Sequence, residues 1–225
     1  MLTLLSACGA APSQGPNVDT VSVRYLALGD SYTIGTGASD EAHNYPSILA
    51  KRLTQATGQK VSLKNPAVNG YTTLNLIDRE LKYLSRVQPD LVSVLIGVND
   101  IVQGRSEADY RASLAVIYDS VANLTLHQGR VVCVAIPDWA GVPGARNFGT
   151  PDELRRRTQA FNAITKEESA ARGFGWVDIT DASVSGTGSP GWIARDNLHP
   201  GDRQYAAWAD VIWNAVKESW TTVRT

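Results

Sequence analysis

Cysteine and histidine are scarce in this chain. The two cysteines, Cys8 and Cys133, lie far apart, and the three histidines, His43, His127 and His199, are widely spaced. No set of them has the short spacing of a zinc site, so no metal is expected. Cys133 sits inside Val132-Cys133-Val134-Ala135-Ile136 and reads as a small buried hydrophobe, which leaves no disulfide to form. Charge of one sign is also missing. A net charge of -1 gives no basic surface for nucleic acid or an acidic membrane. No apolar run approaches the roughly 18–20 residues that span a bilayer. What remains is the make-up of a globular protein, 43% hydrophobic and 19% charged, at a length that suits one domain of 225 residues.

The patterning alternates between strand and helix. Val21–Leu28 alternates and predicts a strand, and 61–65 a short second one. Residues 91–96 and 130–136 are nearly continuous apolar runs, as strands covered on both faces require. Residues 174–179 predict the last strand. Between them, 46–56 reads as a helix with Pro46 in its first turn. Leu74, Ile77, Leu81 and Leu84 mark one helical face. Tyr110, Leu114, Ile117, Val121 and Leu124 mark another, opened by Ser106 as N-cap. Leu154, Phe161 and Ile164 lie on a helix ending near Gly173, and Tyr205, Trp208, Ala209, Ile212 and Ala215 on the closing helix. Strands alternating with helices predict an α/β fold, a parallel sheet with helices on both faces.

Ligands of open parallel sheets bind at the carboxyl ends of the strands. The loops at those ends carry Gly29-Asp30-Ser31, Asn69-Gly70-Tyr71, Gly97-Val98-Asn99-Asp100 and Asp196-Asn197-Leu198-His199-Pro200. Together they hold a hydroxyl, a carboxylate near an imidazole, a side-chain amide and a glycine amide, the inventory of acyl transfer. A serine hydroxyl needs a base, and imidazole titrates near neutral pH. A tight turn can bring Asp196 onto His199, and Pro200 keeps His199 out of helical dihedrals.

Each block alone also has a structural reading. Ser31 could cap a helix, Asn99 a turn, Gly70 could serve a positive φ, and Asp196 and His199 could be a structural pair. Asp30 and Asp100 read as structural, His43 and His127 as surface residues. Trp139 and Trp192 lie in loops and can simply cover core. Gly35-Thr36-Gly37 hints at a phosphate loop, but the rest of such a fingerprint is missing.

The four blocks, in order over residues 21–221, resemble those of the SGNH hydrolases, the GDSL-type esterase and lipase superfamily. The resemblance implies a flavodoxin-like three-layer sandwich with a five-stranded parallel sheet. It implies Ser31 as nucleophile with Asp196 and His199 completing a triad. Ser31, Gly70 and Asn99 would form the oxyanion hole, and no cofactor would be needed. The expected function is a serine esterase, with short-chain or acetyl esters favoured because no long apolar lid segment is present. An acyltransferase acting on envelope glycans or lipids, or a catalytically silent binding module, stays open; a flavodoxin-like electron carrier gives Asp196 and His199 no role. A monomer acting on a small-molecule, glycan or lipid ester is expected.

The first twenty residues differ from the rest. Leu5-Ser6-Ala7-Cys8 resembles the lipobox of bacterial lipoproteins, and an Ala-, Gly-, Pro- and Ser-rich tract follows. This implies lipidation at Cys8, a tether over 1–20, and a hydrolase domain over 21–225 in the cell envelope or secreted. No basic segment precedes the short apolar stretch. An incidental Cys8 on a frayed terminus would leave the protein cytoplasmic.

Overall fold

The computed structural model describes residues 22–124, 126 and 129–223. The tether expected over 1–20, Cys8 and His127 lie outside these residues.

Five strands form one parallel sheet: β1 (Val23–Gly29), β2 (Val61–Lys64), β3 (Leu91–Leu95), β4 (Val131–Val134) and β5 (Gly175–Val177). Their order is β2-β1-β3-β4-β5, a doubly wound arrangement. The helices are α1 (Ser31–Ile34), α2 (Tyr45–Thr57), α3 (Thr73–Arg79), α4 (Lys82–Val87), α5 (Val98–Val102), α6 (Glu107–Ala122), α7 (Pro151–Ala171), α8 (Thr180–Val184) and α9 (Asp202–Trp220). Helices α2 and α9 pair in one outer layer; α3, α6 and α7 pack together in the other. The result is the three-layer α/β sandwich that the alternation predicted.

The central strands explain why the layers close. Every residue of β3 and β4 is buried. Cys133 is fully buried and free, a core residue as expected. Arg24 and Asp90 clip the start of β1 to the turn before β3. The Arg24 Nη2 and Nε atoms donate to the Asp90 carboxylate at 2.8 and 3.0 Å, the Arg24 amide donates to the same carboxylate at 2.8 Å, and the Asp90 amide donates to the Arg24 carbonyl at 2.8 Å. Register then sets Gly29 opposite Leu95, so β1 and β3 end flush. Strand β2 stops at Lys64, opposite Leu26, and the chain beyond it runs on along the same edge.

Helix starts follow their caps. Ser106 Oγ accepts from the Asp109 amide and opens α6 as predicted, and Thr150 with Pro151 opens α7.

Three expectations change. The last two strands are shorter than their apolar runs. Beyond Val134 the ladder gives way to a side chain: Asn162 accepts from the Ile136 amide at 2.8 Å and donates to its carbonyl at 2.9 Å. The single helix expected through Leu74 and Leu84 is two helices. At the junction the amides of Glu80 and Leu81 share the Leu76 carbonyl, and Tyr83 then bonds the Glu80 carbonyl in a tighter turn. The buried stripe there is Leu76, Glu80 and Leu84, whereas Leu74 is exposed. Short helices α1, α5 and α8 had no periodic signal, because one turn cannot repeat a pattern.

Leu49 of α2 is fully buried, whereas Val116 of α6 is 48% exposed. Leu49→Ala is expected to cost about 2–5 kcal/mol of unfolding free energy. Val116→Ala should stay within about 0.5 kcal/mol. Denaturant titration of both variants checks this; equal effects would mean that the α2 layer is not packed as described.

Candidate active site

Strand β1 delivers the chain to Ser31 through a glycine that nothing else can replace. Gly29 has φ +156°, and a Cβ there would lie 2.2 Å from both the Leu95 carbonyl oxygen and Thr33 Oγ1. Asp30 then caps α1, accepting the Tyr32 amide at 3.0 Å. Ser31 is the first helical residue, 5% exposed. Its carbonyl is held by the amides of Gly35 and Thr36 at 3.1 and 2.9 Å, so the turn is fixed from behind. Its own amide and its hydroxyl have no partner among the described residues. Gly35 and Gly37, which hinted at a phosphate loop, both have φ +93°; Gly35 ends α1, and Gly37 lets the chain pass beneath His199.

The loop after β2 is tied to this turn. Asn65 Nδ2 donates to the Thr33 carbonyl at 2.7 Å, and Thr36 Oγ1 donates to Asn69 Oδ1. A turn over Val68–Tyr71 places Gly70 on the surface with φ +79°, and the Gly70 amide has no acceptor among the described residues.

The loop after β3 bridges the other two. Gly97, at φ +130°, precedes α5, and partly buried Asn99 projects back. Asn99 Nδ2 donates to the Tyr71 carbonyl at 2.9 Å and approaches Asp30 Oδ2 at 3.5 Å. The first is a full hydrogen bond; the second is at the limit, so one N–H remains largely uncommitted. Asp100 is fully buried and accepts the amide and hydroxyl of Thr73 at 2.9 and 2.6 Å. Asp30 and Asp100 therefore hold loop backbone, as the sequence reading had them.

Asp196 and His199 meet. The Asp196 Oδ2 to His199 Nδ1 distance is 2.6 Å, and Asp196 Oδ1 accepts the amides of Leu198 and His199 at 2.9 Å each. A left-handed Asn197 (φ +61°) makes the turn, and an isolated bridge between Ile193 and Pro200 closes its base. Burial alone would raise the Asp196 pKa, but the Leu198 amide, the His199 ring and the His199 amide outweigh it and hold the carboxyl below its usual range. The His199 ring lies edge-on to Tyr32, the neighbour of Ser31, with centroids 6.3 Å apart. Tyr32 in turn packs on Trp208 of α9. The Gly144 amide donates to the Asn197 carbonyl at 2.8 Å and braces the loop from the far side. Beside it lies a cavity of about 320 Å³ lined in part by Val142, Pro143, Val184 and Ile193.

All five predicted site residues thus gather at one edge of the sheet. Residues 27–207 match the GDSL-like Lipase/Acylhydrolase family. The chain belongs to that family. The SGNH hydrolase is 34% identical over 139 residues to an arylesterase of Vibrio mimicus, covering 58% of this chain and 66% of that protein. It is 23% identical over 193 residues to the esterase TesA of Pseudomonas aeruginosa, covering 85% and 87%. Its fold matches that of Axe2, an acetylxylan esterase from Geobacillus stearothermophilus, with a TM-score of 0.69 and 20% identity over 92% of this chain and 100% of that one.

The loop tryptophans left outside the predicted site cover core. Trp139 and Trp192 are buried, and their indole N–H groups donate to Thr158 Oγ1 at 3.1 Å and the Ser183 carbonyl at 2.9 Å. His43 is exposed and pairs with Asp40. The residue that the sequence reading missed is Glu80. It is fully buried, and the Gly29 amide donates to its Oε2 at 3.0 Å. The available signal was an acid four residues from both Leu76 and Leu84.

The depressed Asp196 carboxyl contributes stability that is present above the unfolded value of about 3.9 and is lost as pH falls through the lower folded value. Thermal unfolding of the parent and Asp196→Asn, followed from about pH 6 to about pH 2, should show a parent advantage that shrinks at the acid end. A difference independent of pH would contradict the pairing.

Proposed function

We propose that this family member is a serine esterase that cleaves short-chain carboxylic esters, acetyl esters foremost, through an acyl-enzyme on Ser31. The observation that carries the reading is the 2.6 Å Asp196–His199 contact at the same sheet edge as the Ser31 hydroxyl, which has no hydrogen-bond partner among the described residues.

In this reading Asp196 holds the proton of His199 on Nδ1, which leaves Nε2 free as the base. Nε2 takes the Ser31 proton as Oγ attacks the ester carbonyl. The tetrahedral oxyanion is met by the free amides of Ser31 and Gly70 and by the uncommitted N–H of Asn99. Collapse expels the alcohol, which receives the proton from His199. Water, activated by the same imidazole, then releases the acid and restores Ser31.

The small acyl preference rests on two points. The sequence carries no long apolar lid segment, and two relatives are named for aryl and acetylxylan esters. Lipidation of Cys8 and an envelope or secreted location belong to the same proposal. No helix among the described residues is long and apolar enough to cross a membrane.

Hydrolysis of p-nitrophenyl esters with acyl chains of two to sixteen carbons tests the reading. The shortest esters should turn over fastest. Ser31→Ala should fall to near background, and Asn99→Ala should lose about a hundred-fold to a thousand-fold in kcat. A fluorophosphonate should label the parent and not Ser31→Ala. Equal rates in parent and Ser31→Ala would rule out Ser31 as nucleophile.

A further inference from the structure

Behind the proposed nucleophile lies a pair of buried acids that the esterase reading does not use. Asp30 and Glu80 are both fully buried; Glu80 accepts the Gly29 amide, and Asp30, the next residue along the chain, accepts the Tyr32 amide. No lysine or arginine pairs with either among the described residues. Burial disfavours charge on each, and charge on Asp30 disfavours it further on Glu80.

Their surroundings are not equivalent. Asp30 Oδ1 accepts the Tyr32 amide, the Gly97 amide also favours its charged form, and Asn99 approaches its other oxygen. Glu80 Oε2 accepts one amide, from Gly29, and Glu80 Oε1 has no hydrogen-bond partner among the described residues. A bare buried carboxylate oxygen is the one that keeps a proton.

We propose that Glu80 is a positioning residue of this esterase, held as a neutral carboxylic acid that fixes the Gly29 amide and so aims Ser31. This rests on the Ser31 reading above. The neutral acid can hold the end of β1 without repelling Asp30, whereas a second negative charge there would push against the Asp30 carboxylate that caps α1.

Burial, and then the Asp30 charge, lift the Glu80 carboxyl to about 8 despite the Gly29 amide; burial lifts Asp30 to about 8 as well, so the two titrate as a pair, and the bonds to Asp30 against the bare Glu80 Oε1 put the retained proton on Glu80. The other groups near the pair do not relieve it. Tyr45 of α2 is itself pushed up by burial, with Asp30 and Glu80 adding to the shift. Asp100 after β3 adds negative charge, and Arg105 lies 3.5 Å from Asp100. On the same segment Asp78 and Arg79 are exposed and pair with each other. The sign follows: the competent, neutral form dominates below this value and is lost as pH rises through it.

The test uses the full chain, Glu80→Gln and Glu80→Ala. Gln keeps the acceptor for Gly29 but cannot ionise. For p-nitrophenyl acetate, kcat/KM of the parent should fall on an alkaline limb near the Glu80 value. Glu80→Gln should keep the neutral-pH rate within about three-fold and lose that limb, with its acid limb unmoved. Glu80→Ala should lose at least ten-fold in kcat with little change in KM. The same alkaline limb in Glu80→Gln, or full activity in Glu80→Ala, would overturn the assignment. A second readout needs no turnover. The Gly29 amide proton shift, followed by nuclear magnetic resonance, should titrate in the same range in the parent and stay flat in Glu80→Gln. A Gly29 shift that is flat in both would overturn the proposal whatever the kinetics. A titrating Gly29 in a protein that hydrolyses no ester would instead sink the esterase reading and the aiming of Ser31 with it, while leaving the neutral acid in place.

Discussion

Strands β1 and β3 end side by side, Gly29 opposite Leu95, and the geometry of the site depends on that register. A parallel pair with flush ends releases two chains at one point, and each must turn at once. Only glycine fits the first turn, because a side chain at position 29 would collide with the Leu95 carbonyl and Thr33. Backbone crowding therefore selects Gly29 and, one residue later, places Asp30 within reach of the loop from β3.

From that point polar side chains take over from the sheet ladder. Asp30 caps the turn that carries Ser31, Asn99 ties the β3 loop to the carbonyl of Tyr71, and Asp100 pins Thr73 at the start of α3. The β3 loop is thus joined to the loop after β2 by Asn99 and Asp100, whose side chains satisfy that loop's backbone, while Asp30 satisfies its own turn. Buried backbone groups must find partners, and here these residues supply them. The Asp196–His199 turn stands apart from this network. It is braced by the Gly144 amide and rests on Tyr32, next to Ser31.

Much of this was legible in the chain. The five strands follow from apolar runs and alternation, and the three long helices α6, α7 and α9 from their apolar spacing. The four blocks point to one edge because parallel strands all end there. Other features were hidden. The ladder's early end at Val134 depends on Asn162, a residue distant in sequence. The break between α3 and α4 is invisible to periodicity, since Leu74, Ile77, Leu81 and Leu84 fit one helix well. Glu80 shares the buried face of Leu76 and Leu84, but only the fold shows that its carboxylate meets the Gly29 amide.

The sequence by itself determined the class of fold, the family and the chemical types at the strand ends, because periodicity and short motifs are local properties. Tertiary structure alone decided which groups are free and which are spent. That Asn99 keeps one N–H, that the Ser31 and Gly70 amides lack acceptors among the described residues and that Glu80 lies buried near Asp30 are matters of distance between remote segments. Hydrogen bonding and desolvation act through space, so no local pattern records them.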